Sequence, residues 1–66
     1  MLTITVTEGR SWWGGTRFTI RLDSSVGYVA VTDLSTARAK ELLKPILIDL
    51  VTTETPYVLK GNATAL

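Results

Sequence analysis

The chain contains no cysteine and no histidine among its 66 residues. Without cysteine, neither a disulfide framework nor a thiolate metal site can form, and a reducing compartment is allowed. Without histidine, the chain lacks the usual general base near neutral pH and the commonest metal ligand in proteins. We therefore expect a non-enzymatic protein with no metal site and no cofactor.

An excess of charge of one sign is also missing. Seven basic and six acidic residues give a net charge of +1, which creates no overall field to attract nucleic acid or an anionic membrane. The apolar stretch over residues 46–51 is too short to span a bilayer and contains Asp49. Met1 leads into an alternating pattern, unlike the basic start and apolar block of a signal peptide. These features predict a cytoplasmic protein that does not bind membranes.

Apolar residues, by contrast, are abundant for so short a chain. They make up 45% of the sequence, and the mean hydropathy is +0.25. A single domain over residues 1–66 buries only about 60% of the surface of its unfolded chain, so its stability is marginal without a further source. Since disulfides are excluded, association of identical subunits is the remaining common source, and we expect a homo-oligomer.

The first half of the chain has the alternation of apolar and polar residues that is typical of half-buried strands. This alternation covers residues 2–7 and 17–22, and a third strand is expected over 28–32. Residues 23–25 are expected to form a turn, after which Gly27 supplies a positive φ or a bulge. The pattern predicts an antiparallel meander of three strands.

The second half has the periodicity of an amphipathic helix. Asp33, Ser35 and Thr36 are candidate N-caps, and Arg38 and Glu41 are spaced to form an ion pair on the helix surface. Pro45 either kinks this helix or ends it near Leu43, in which case residues 46–51 form a strand, and we favour the kinked helix. The apolar stripe consists of Ala39, Leu42, Leu43, Ile46, Leu47 and Leu50.

The predicted fold class is α+β, with the three-stranded meander packed on one long helix kinked by Pro45. A short segment over residues 57–59 adds a C-terminal strand or arm, either to its own sheet or to that of a neighbour. The later part of the helix is apolar nearly all round, which indicates burial against another subunit. The expected oligomer interface comprises Leu43, Ile46, Leu47, Ile48, Leu50 and Val51.

One loop stands out as a candidate site, because it holds both tryptophans, two glycines and nearby arginines. A tryptophan can stack on a base, glycines let backbone amides approach a phosphate, and an arginine can neutralise its charge. We therefore predict binding of a nucleotide-like ligand, with the loop folding back to cap the core as the purely structural alternative. The predicted ligand-binding residues are Arg10, Trp12, Trp13, Gly14, Gly15 and Arg17.

Two other functions compete with nucleotide binding. The first is a protein-interaction, assembly or inhibitor role, as in a small viral or accessory protein, through the tryptophan loop and the apolar helix. The second is DNA binding, because three strands followed by a helix, with aromatic and basic residues alternating over residues 13–21, resemble the AP2-like module of phage integrases. That resemblance covers residues 12–47 and implies that the arginines and threonines of the sheet contact DNA. Residues 26–32 depart from it, since they carry no basic side chain.

Overall fold

The computed structural model describes residues 1–10, 12 and 14–62. They form a meander of three strands, a single helix and a fourth strand. In chain order these elements are β1 (Leu2–Arg10), β2 (Thr16–Ser24), β3 (Gly27–Leu34), α1 (Thr36–Thr52) and β4 (Tyr57–Gly61). The architecture confirms the predicted α+β class, with a strand meander and one helix.

The four strands form one mixed sheet in the order β3-β2-β1-β4. β1 pairs antiparallel with β2, and β2 pairs antiparallel with β3. β4 pairs parallel with β1, from Leu2 opposite Tyr57 to Val6 opposite Gly61. α1 connects β3 at one edge of the sheet to β4 at the other, a long crossover that allows β4 to run parallel to β1. The C-terminal segment therefore joins the sheet of its own chain.

The turn between β2 and β3 is shorter than expected. Asp23 and Ser24, predicted to start the turn, belong to β2, and pairing continues as far as Ser24 opposite Gly27. Only Ser25 and Val26 form the turn itself. Gly27 has a φ of 145°, which confirms the expected positive φ, and its carbonyl accepts a hydrogen bond from the Ser24 hydroxyl at 3.2 Å.

The N-terminus of α1 is capped by Ser35, one of the three candidates. Its hydroxyl oxygen accepts a hydrogen bond from the amide of Arg38 at 3.2 Å. Asp33 instead adopts a φ of 58° where the pairing of β2 with β3 becomes irregular. The predicted surface pair is present, with Arg38 3.3 Å from Glu41. In the described part of the chain, no helix is long and apolar enough to cross a membrane.

Pro45 lies inside α1, which continues from Thr36 to Thr52 without a break. The alternative in which residues 46–51 form a strand is therefore wrong. Continuation of the helix through the proline lowers the stability of the fold, because Pro45 has no amide hydrogen to donate to the carbonyl of Glu41, and its ring crowds that carbonyl.

Substitution Pro45→Ala is expected to stabilise the protein, because it restores the missing helical hydrogen bond at an exposed position. The gain in the free energy of unfolding should be about 1–3 kcal/mol, which allows for the greater freedom of the unfolded variant. Urea unfolding followed by circular dichroism measures it. Lys44→Ala, at the neighbouring exposed position, is the control and should change stability by less than about 0.5 kcal/mol. An unchanged or lower midpoint for Pro45→Ala would contradict this explanation.

The core lies between α1 and one face of the sheet. Its buried residues come from β1, β2, β3 and α1: Ile4, Val6, Phe18, Ile20, Leu34, Ala39, Leu43 and Leu50. The other members of the predicted helix stripe, Leu42, Ile46 and Leu47, are partly buried against it. The opposite face of the sheet, which we call the open face, carries mainly threonine, arginine and tyrosine: Thr3, Thr5, Thr7, Arg17, Thr19, Arg21, Tyr28 and Ala30.

Candidate functional site

The predicted ligand loop connects β1 to β2 at one end of the sheet. The pairing of the two strands closes with Arg10 opposite Thr16, and the loop lies between them. Gly14 has a φ of 93°, a conformation that side-chain-bearing residues rarely adopt. Trp12 is 91% exposed, whereas Trp13 falls outside the described residues. Trp12 is therefore displayed at the surface and does not cap the core.

The loop is carried on a two-stranded arm, which we define as residues 9–17. β4 accompanies β1 only as far as Val6, and β3 accompanies β2 only from Phe18. Within residues 1–10, 12 and 14–62, Gly9 and Arg10 pair with β2 alone, and no third strand flanks the arm. Its tip is therefore supported by two strands only.

The two arginines of the predicted site lie close along the chain but on opposite faces of the arm. Arg10 is directly opposite Thr16, so its side chain shares a face with Thr16. Side chains of consecutive strand residues alternate between faces, which places Arg17 on the other face. One phosphate group at the loop therefore cannot contact both guanidinium groups without a change in the arm.

Arg17 is also engaged with an acidic residue of its own chain. Its Nε lies 3.6 Å from a carboxylate oxygen of Asp33, near the end of β3. This distance is short enough for an ion pair but too long for a hydrogen bond, and the Nε has no hydrogen-bond partner. An anionic ligand at Arg17 would have to compete with the carboxylate of Asp33.

Arg21, the second arginine of the open face, is also paired with a carboxylate, and here the contact is a hydrogen bond. Its Nε donates hydrogen bonds to both carboxylate oxygens of Asp23, at 3.0 and 3.1 Å. Its guanidinium carbon lies 4.0 Å from the centre of the Tyr28 ring, in a cation–π contact. Both open-face arginines are thus paired with carboxylates, which reduces the positive charge that a DNA-reading sheet would need.

The residues predicted for the oligomer interface separate into three groups in the structure. Leu43 and Leu50 are buried in the core of their own chain, and Ile46 and Leu47 pack partly against it. Ile48 and Val51 are 56% and 65% exposed. The first four contribute to the fold of the single chain, and only the last two present an apolar surface on the outside of α1.

An apolar surface that the sequence analysis did not identify lies beside β3. Val29 and Val31, whose Cα partners on β2 are Leu22 and Ile20, remain exposed. With part of α1 they border a groove of about 80 Å³, which we call the β3 groove. All its lining residues are aliphatic: Ile20, Leu22, Val29, Val31, Leu42 and Ile46. The sequence feature that could have indicated this surface is the alternation of valines in residues 27–31, which contain no charged residue.

Among the residues that the structure describes, no three acidic side chains come together in a way that could hold a metal ion. Comparison of the chain with protein-family models, curated protein sequences and solved structures found no match.

Proposed function

We propose that this chain is a non-enzymatic protein-interaction protein that acts as a homo-oligomer and binds a partner protein through Trp12 at the tip of the arm. The observation that carries this proposal is the exposure of Trp12, 91% of whose surface faces solvent. Tryptophan is among the residues most often found at the energetic centre of protein interfaces, because a large ring is desolvated there at little cost in conformational entropy.

The position of Trp12 favours a macromolecular partner. The ring lies at the end of a two-stranded arm that no other described strand flanks. A protruding aromatic group is suited to a pocket on another protein, whereas small ligands usually bind in concave sites. The exposed Arg10 beside the loop can contribute a polar contact at the rim of such an interface.

Association of identical chains is supported by the apolar side chains that remain exposed on two elements. Val29 of β3 is 64% exposed, and Ile48 and Val51 of α1 are 56% and 65% exposed. Exposed apolar patches often mark the interfaces between proteins. A second copy that covers one of these patches would remove its side chains from water.

Binding of a nucleotide-like ligand to the same loop is the second candidate. The positive φ of Gly14 favours it, because such a backbone can present amides to a phosphate. The opposite orientations of Arg10 and Arg17, and the ion pair of Arg17 with Asp33, make the loop less suited to this ligand.

Substitution Trp12→Ala is expected to weaken partner binding by at least about 30-fold, the effect of losing an interface hot spot. The protein immobilised on beads captures partners from an extract of the source cells. The captured protein is then purified and titrated against the wild-type chain and the variants. Val26→Ala is the matched control, because Val26 is 95% exposed at the opposite end of β2, and it should leave the affinity unchanged.

Equal affinity of the wild type and Trp12→Ala for the purified partner would refute the proposed role of the arm. Titration with nucleoside mono-, di- and cyclic phosphates, followed by tryptophan fluorescence, tests the second candidate. A saturable change that is lost in both Trp12→Ala and Arg10→Ala would replace the protein partner with a nucleotide.

A further inference from the structure

The two edges of the sheet differ in how they are protected against pairing with another strand. Unpaired backbone groups of an edge strand attract a further strand, and natural edges are usually interrupted by lysine, proline or short length. β4 has these features, since it is five residues long, follows Pro56 and contains Lys60. β3 is eight residues long, and its residues 27–32 include neither a charged residue nor proline.

The side chains of β3 are apolar and uncovered at the same place. Val29 is 64% exposed and Val31 43% exposed, beside the β3 groove. α1 covers the sheet over Ile4 and Phe18 but leaves these two valines accessible. In the sheet formed by the described residues, β3 thus offers both unpaired backbone groups along its edge and an apolar strip on the face that carries the helix.

We infer that two copies of this chain associate through antiparallel pairing of their β3 strands, which creates one continuous eight-stranded sheet. This inference rests on the proposed self-association and specifies its surface. A two-fold axis at Ala30 places Val29 of each copy opposite Val31 of the other, on the face of the β3 grooves. Tyr28 of each copy then lies opposite Thr32 of the other, beyond which β3 becomes irregular.

A second copy fits this edge because the surface is complementary to itself. The apolar strip of one copy meets the same strip of the other, as a two-fold interface requires. The nearest acidic residue, Asp33, falls opposite Gly27 of the other copy in this register, so the two carboxylates lie at opposite ends of the paired segment. No pair of like charges opposes the association within residues 27–33.

The antiparallel arrangement also determines where the arms lie. The loop of each arm is at the same end of the sheet as the C-terminal end of β3. Two-fold pairing of β3 therefore places the two Trp12 side chains at opposite ends of the joined sheet. The dimer would present two separate binding tips and could connect two partner molecules.

Crosslinking through a single introduced cysteine tests this register, because the natural chain contains none. Ala30→Cys places two cysteines directly opposite each other at the axis, where the Cβ atoms of an antiparallel pair are about 4.5–5.5 Å apart. Mild oxidation is expected to convert most of the protein to a covalent dimer. Ile48→Cys, on the exposed side of α1, is the control and should remain largely uncrosslinked at the same protein concentration.

A second variant tests the same surface without a crosslink. Val29→Lys introduces a charge at an exposed position, so the fold of the single chain should be retained, as circular dichroism will show. Sedimentation equilibrium is expected to show at least about tenfold weaker dimerisation. Val51→Lys, at an equally exposed position on α1, should leave the dimer intact.

Three results would overturn the inference. A monomeric wild type would refute both self-association and pairing of β3. If the dimer crosslinks through Ile48→Cys and dissociates when Val51 is replaced by Lys, the interface lies on α1. That result would support self-association and refute the β3 interface. A dimer insensitive to both lysine variants would also exclude the β3 edge. Binding through Trp12 is measured separately, so its failure is distinguishable from all three.

Discussion

Substitution Phe18→Ala is expected to unfold a large fraction of the protein at 25 °C. Phe18 is 3% exposed and lies in the core between β1, β3 and α1. Loss of a buried phenylalanine ring typically costs about 3–5 kcal/mol, from the lost transfer of apolar surface and from the cavity that remains. A domain of this length has a total stability of about 3–10 kcal/mol, so the loss is comparable to the whole.

Urea unfolding at fixed protein concentration, followed by circular dichroism, measures this effect, since self-association makes stability depend on concentration. Val26→Ala is the control, because it shortens an apolar side chain that is 95% exposed and should change stability by less than about 0.5 kcal/mol. Phe18→Leu should lose much less than Phe18→Ala, because most of the volume remains filled. Similar unfolding midpoints for Phe18→Ala and the wild type would show that the described core does not stabilise the fold.

Substitution Gly61→Ala is expected to detach the end of β4 from the sheet. Gly61 has a φ of 76°, and a Cβ atom at this position would overlap the carbonyl oxygen of Val6. That carbonyl accepts a hydrogen bond from the amide of Asn62 at 2.6 Å. The alanine can be accommodated only if the backbone moves away from β1, which breaks this bond and exposes the buried Val6. The combined loss should exceed about 2 kcal/mol.

Gly27→Ala separates the two causes of this loss, which are backbone strain at a positive φ and overlap of the new Cβ atom with β1. Gly27 also has a positive φ, but a Cβ atom there would meet nothing within 4 Å. At a protein concentration at which the chain is monomeric, this control therefore reports backbone strain without steric overlap, about 1–3 kcal/mol. Gly61→Ala should be the more destabilising of the two in urea unfolding, and hydrogen exchange should show faster exchange at Asn62 in that variant only. Equal losses of stability and unchanged exchange would show that the close approach of β4 to Val6 is unimportant.

Trp12 and the β3 groove give the molecule two surfaces with different expected roles. The arm displays a single large ring on a narrow support, which suits specific docking into a partner. The edge of β3 combines backbone hydrogen-bonding groups with a shallow apolar strip, which suits pairing with an identical strand. The substitutions proposed for one surface lie outside the other, so the two roles can be tested separately.

Much of the fold could be predicted because its elements follow local patterns. Alternation with a period of two indicates the strands in which Ile4 and Phe18 point to the core, and the spacing of Ala39 and Leu43 indicates the buried side of α1. Local chemistry also identified Ser35 as a candidate cap. The predicted length of the turn before Gly27 was wrong, because the extent of strand pairing depends on both strands together.

The candidate site was predictable only in part. The sequence places Arg10, Trp12 and Arg17 within one short segment, but their relation in space depends on the register of the hairpin. Pairing of Arg10 with Thr16 separates the two arginines onto opposite faces, and Asp33 reaches Arg17 only because β3 lies beside β2. Such contacts join residues far apart in the chain, and no local pattern indicates them.

The sequence by itself determined the α+β class, the order of three strands followed by a helix, and the lack of cysteine and histidine side chains, because these follow from composition and local periodicity. The tertiary structure decided that β4 pairs parallel with β1, that Leu43 and Leu50 are buried within their own chain, and that the valines of β3 remain exposed. Apolar residues of similar character occur on both α1 and β3. Which of them are covered depends on the order of the strands and on how far one helix extends over the sheet.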